Sequence, residues 1–163
     1  MHDLDAALAE NAKQVEHFIA ALPGVRDSWN VPVRKGKWSP AQVAEHIVLS
    51  YRETTALARG DASGFPRVPA LLRPLIRSLG FKRVLKTGTF MKSRTFKSLT
   101  PLEGPPTPED AATKIRAALA EFGASFKALG GRLEHPAFGA VETADYVRFL
   151  GFHTVHHERQ LKA

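Results

Sequence analysis

Cysteine is absent from this chain, which excludes disulfide staples, thiolate metal sites and a cysteine nucleophile together. Any metal must therefore be held by histidine or carboxylate. No apolar run approaches the roughly 20 residues that cross a bilayer, so no membrane span is expected. The opening Met1-His2-Asp3-Leu4-Asp5 lacks the basic-then-apolar order of a secretion signal, and a cytoplasmic location is the resulting expectation. Also missing are a serine-histidine-acid order, a Gly-rich phosphate loop and an H-E-x-x-H protease motif. Acidic residues are missing from one long stretch. Between Asp61 and Glu103 stand nine basic residues (Arg67, Arg73, Arg77, Lys82, Arg83, Lys86, Lys92, Arg94, Lys97) and none that is acidic. Elsewhere 14 basic residues face 16 acidic ones, so the net charge of +7 comes from this segment. Such a distribution does not suggest a specific nucleic-acid interface.

What is present suits one compact domain over residues 1–163, since a chain of 163 residues that is 44% hydrophobic can bury a real core. Four long helical patterns stand out. Leu8, Ala12, Val15, Ile19 and Leu22 recur at helical spacing from about Leu4 to Leu22, and Pro23-Gly24 is the stop. The second helix opens at Ser39-Pro40-Ala41-Gln42, where serine caps, proline suits the first helical position, and glutamine reaches back to the cap backbone. A third begins at Thr107-Pro108-Glu109-Asp110 and ends at Gly130-Gly131; a fourth starts after Thr143 and runs nearly to the end. In the basic stretch, Leu71, Leu72, Leu75, Ile76 and Leu79 suggest a short amphipathic helix that Pro74 complicates, and no alternating run suggests a sheet. The expected fold is all-α: an up-and-down four-helix bundle with one long basic connection between helices 2 and 3. That connection reads either as a rim that draws anionic ligands to a site, or as a solvated loop whose Leu71, Leu75 and Phe81 pack on the bundle or a dimer partner.

Helical periodicity then places the histidines. Taking His46 as zero at about 100° per residue, Val43 falls near 60°, Ser50 near 40°, Leu57 near 20° and Leu49 near −60°, so His46 points inward. His153 and His157 are one turn apart and share a side with Tyr146, Phe149, Leu150 and Leu161, while Arg148, Glu158, Arg159 and Lys162 occupy the other. His156 lies at about −60° from His153, toward the edge of that stripe. An H-x-x-x-H pair alone also fits histidines that cap or satisfy core carbonyls. Three inward imidazoles need polar partners or lose solvation, and one divalent metal ion would satisfy all three. Glu53, two turns after His46 on the same face, is the candidate acid/base group, against the plainer reading of a helix glutamate paired with a nearby base. His2 and His17 read as surface or packing residues, and Trp29 and Trp38 as closures of the bundle end.

Trp38-Ser39 followed by His46, then His135-Pro136-Ala137-Phe138-Gly139, then His153-x-x-x-His157-x-x-Gln160 resemble, in order and spacing, the DinB-like (DinB/YfiT) superfamily of bacterial four-helix-bundle metalloproteins. The resemblance implies that His46, His153 and His157 hold one divalent ion, commonly nickel or zinc, with water completing the shell, and that the protein is a homodimer. It implies a small-molecule substrate handled by a metal-dependent enzyme, either a thiol-dependent S-transferase with a low-molecular-weight thiol cosubstrate or a hydrolase. The alternative is a non-catalytic stress or interaction protein that the metal only stiffens; solvent access to the ion separates the two. Many members carry an acid one turn after the first histidine, where this chain has Leu49 and Ser50. The His135-to-Gly139 motif reads as structural, with Phe138 plugging the bundle end.

Overall fold

The computed structural model describes residues 3–61, 63–91 and 95–161. His2, Lys92, Arg94 and Lys162 lie outside the described residues.

Four long helices dominate, and each begins where a residue can satisfy free amides. Helix α1 (Leu4–Ala21) is capped by Asp3, whose carboxylate accepts the Asp5 N–H at 2.9 Å. The α-helix ends at Ala21, just ahead of Pro23-Gly24, as the sequence suggested. The chain then tightens into a 3-10 turn over Leu22–Ser28, with Pro23 in the first turn, where its missing N–H is no loss. Helix α2 (Pro40–Arg59) has a full capping box: the Ser39 hydroxyl accepts from the Gln42 amide at 3.3 Å, and the Gln42 side chain accepts from the Ser39 amide at 3.0 Å. It ends at Gly60, whose φ of 79° is a left-handed cap that side chains rarely adopt.

The basic connection is largely helical. A 3-10 turn (Ala70–Leu72) leads into α3 (Arg73–Ile76), a π-turn (Arg77–Lys82) and α4 (Arg83–Thr87). Pro74 does not break it, because it sits in the first turn of α3. Leu71 and Leu75, which the sequence offered for packing on the bundle or a dimer partner, are 89% and 55% exposed and do not pack on the bundle. The inward side is carried by Phe81 and Val84, both buried. After another 3-10 turn (Lys97–Leu99), Thr107 caps α5 (Pro108–Leu129), accepting the Asp110 amide at 3.1 Å.

One element was not expected. Arg132–His135 (β1) and Gly139–Glu142 (β2) pair antiparallel, with Leu133 opposite Val141 and His135 opposite Gly139. Four-residue strands are too short to show an alternating pattern, but the turn residues Pro136 to Gly139 at the centre form a hairpin signal. The last helix, α6 (Thr143–Glu158), follows directly and ends in a 3-10 turn over Arg159–Leu161.

Helix α1 packs along α6 and α2 along α5, with further contacts from α1 to α5 and from α2 to α6. The fold is therefore helical, as its sequence predicts, with the hairpin as the one small sheet among the described residues. Phe18, Ile47, Tyr51, Ile115, Phe122 and Phe126 are fully buried between the helices. Gly151 faces α1, where the ends of the Gln14 and Asn11 side chains occupy the space a Cβ would take. No helix among the described residues is long and apolar enough to cross a membrane.

Candidate metal centre

His46 stands in the middle of α2, and His153 and His157 one turn apart on α6; the structure brings them together. Their ligand-capable nitrogens all lie within 4.8 Å of one another. The Nε2 of His153 is 3.1 Å from the Nε2 of His46 and 3.1 Å from that of His157. Two imidazole nitrogens that share one ion at about 2.0–2.1 Å stand this far apart.

Hydrogen bonds on the far side of the rings decide where the lone pairs point. The Nδ1–H of His46 donates to the Leu99 carbonyl at 2.7 Å, which leaves its Nε2 as a lone pair. The Nδ1–H of His157 donates to the Gln160 Oε1 at 2.8 Å, with the same result. Gln160 completes the chain by donating from Nε2 to the His156 Nε2 at 3.2 Å. His153 has no partner at its buried Nδ1. Neutral His153 has one ring proton, so three facing nitrogens share at most one hydrogen.

Electrostatics keep the rings neutral. Burial pushes the His46 pKa down, against the opposing Leu99 carbonyl, and pushes that of His157 down to about 3, helped by nearby His46. His153 is driven well below the ordinary histidine value, by burial first and then by the other histidines. A cluster of neutral imidazoles, two buried and one half-buried, is the donor set that zinc, nickel and copper favour.

The cluster lies on the wall of a cavity of about 980 Å³. Trp38 covers His46 with ring centroids 4.9 Å apart, and Phe90 contacts His153 at 5.5 Å and His156 at 5.4 Å. Trp38 thus covers the histidines, whereas the sequence reading made it a closure of the bundle end. The basic connection contributes apolar wall, including Ile76, Phe90, Met91 and Phe96, and none of its described cations lines the cavity. Arg73 and Arg77 donate to the carbonyls of Val68 and Ala140. Cations on the wall come instead from Arg34 and Lys37, and no carboxylate lines it among the described residues.

Other expected residues fall elsewhere. Glu53 accepts the Gly64 N–H at 2.7 Å and does not line the cavity. His17 is exposed and pairs with Glu158 at 2.8 Å. Trp29 is buried and donates its indole N–H to the Pro105 carbonyl at 2.7 Å. His135 is outside the metal cluster; its Nδ1 accepts the amides of Ala137 and Phe138 at 3.1 and 3.3 Å, which closes the hairpin turn. Phe138 stacks on that ring at 4.5 Å and meets Phe81 and Phe149. The orienting roles of Leu99 and Gln160 were not assigned from the sequence. Gln160 had a signal, standing one helical turn after His157; Leu99, 53 residues from His46, had none.

These features define a helical protein with a three-histidine site whose geometry can hold a metal ion. A family model described as the DinB superfamily matches residues 7–161, and the chain belongs to that superfamily. No curated protein and no solved structure matches it.

Proposed function

We propose that this protein is a metal-dependent enzyme on an up-and-down four-helix bundle, in which His46, His153 and His157 hold one nickel or zinc ion and a small molecule reacts beside it. The carrying observation is that the three Nε2 atoms converge on the wall of a roomy cavity. Three neutral protein ligands with access to a cavity suit a catalytic ion better than a closed structural one, which favours an enzyme over a metal-stiffened interaction protein. Bound there, the ion supplies Lewis acidity, lowering the pKa of a water or thiol or polarising a carbonyl, which fits thiol-dependent S-transfer or hydrolysis.

The chain's own residues do the rest. Leu99 and Gln160 hold the His46 and His157 rings in one tautomer and orientation. Trp38 and Phe90 exclude water from one side of the cluster. The apolar wall takes the body of the substrate, and Arg34 and Lys37 favour an anionic group on it. Glu53, which accepts the Gly64 N–H and stands off the cavity wall, has no part in this reading.

The test is metal analysis of protein purified without a nickel column, followed by screens for thiol transfer and ester hydrolysis with and without a chelator. About one ion per chain and a chelator-sensitive activity are expected. Metal at one equivalent with no turnover of any thiol or ester would favour the stiffened, non-catalytic protein.

A further inference from the structure

The outward face of the helical connection is unexplained by the metal centre. Leu71, Leu75 and Leu79 recur every four residues and are 89%, 55% and 54% exposed, with Leu72 beside them at 48%. Four large apolar side chains in nine residues of exposed helix are a patch, and monomeric soluble proteins rarely leave such patches bare. Lys82, Arg83 and Lys86 follow on the next two turns, all exposed, and Arg67 precedes them. From residue 62 to residue 102 the sequence carries no acid at all.

The segment is held firmly from beneath. Phe81 packs against Phe138 at 5.3 Å and Phe149 at 5.2 Å, and Arg73 and Arg77 turn inward to backbone carbonyls. The apolar residues are therefore presented outward by a packed element.

We propose that this face docks on the surface of an anionic phospholipid membrane, with Leu71, Leu75 and Leu79 entering the headgroup boundary and Lys82, Arg83 and Lys86 meeting the lipid phosphates. An interfacial amphipathic helix needs both features, apolar area to bury and cations to attract anionic lipid. A nucleic acid would use the cations and leave the leucines bare. A second copy of this chain would bury the leucines but bring two acid-free basic segments together. The anionic lipid surface accounts for both, and docking does not depend on the metal centre.

Co-sedimentation of the full chain with vesicles tests it. Vesicles of phosphatidylglycerol and phosphatidylcholine in equal parts should retain at least about tenfold more protein than phosphatidylcholine alone, and added salt should weaken the retention. The triple change Leu71→Glu, Leu75→Glu, Leu79→Glu should abolish retention while the helical circular dichroism and metal content stay unchanged. Lys82→Glu with Lys86→Glu, which leaves the leucines in place, should also reduce it about tenfold. Equal retention by both vesicle types, or none by either, overturns the proposal. So does a dimer in sedimentation velocity that the leucine changes convert to monomer while vesicle retention is absent, since a second copy would then cover the face.

Discussion

The Gln160 Oε1 accepts the Nδ1–H of His157 at 2.8 Å, and this one bond turns the opposite nitrogen of His157 toward His153, 3.1 Å away. Gln160 touches neither His46 nor His153 in this network, yet it decides whether His157 presents a lone pair or a proton to them. An amide that fixes a ligand's tautomer and orientation contributes to metal affinity without binding the metal.

Removing that amide should therefore weaken the metal site without emptying it. Gln160→Ala is expected to lower the affinity for zinc by roughly 10–100-fold, the range typical of lost partners to ligating histidines. Competition titration against a chromophoric chelator measures it. Unchanged affinity would mean that helix packing alone orients His157.

The adjacent residues His156 and His157 should behave differently despite their identical chemistry. His157 belongs to the three-nitrogen cluster, whereas His156 stands outside it, accepting from Gln160 and packing on Phe90. His157→Ala and His46→Ala should each abolish tight metal binding. His156→Ala should retain the metal, with an affinity loss of no more than about 100-fold. Metal content of the purified variants decides it, and a metal-free His156→Ala beside a metal-loaded His157→Ala would reverse the assignment.

Acid should destabilise the metal-free protein from about pH 6.5 downward. Burial pushes the His135 pKa from 6.5 down to about 4, and that of His157 down to about 3. Below pH 6.5 the unfolded chain takes up protons that the folded chain refuses, so the stability present above 6.5 is lost as the pH falls toward 4. Each such histidine contributes a slope of up to about 1.4 kcal/mol per pH unit. Urea unfolding across this range, in the presence of chelator, measures the slope. His135→Asn keeps an acceptor for the Ala137 and Phe138 amides and cannot titrate, so its slope should be shallower by about one proton. An equal slope in both proteins would remove His135 from the effect.

The sequence by itself determined the helices and the direction of the histidines. Ser39-Pro40 and Thr107-Pro108 specify helix starts through bonds to amides three residues away, and the structure shows those bonds. The 3.6-residue repeat, which follows from backbone geometry, places His46 and His157 inward and His156 at the edge, and both inward rings are buried. Tertiary structure decided what lies beyond one helical turn. That the Leu99 carbonyl meets His46 across 53 residues, that Phe90 lies over His153, and that Arg77 reaches the Ala140 carbonyl depend on how separate elements dock. The connection shows the distinction most plainly. Its apolar spacing correctly predicted a helix over Leu71–Leu79, but periodicity gives a helix two faces without saying which one meets the core. Phe81 packs on Phe138 and Phe149, and Leu71, Leu75 and Leu79 are left facing outward.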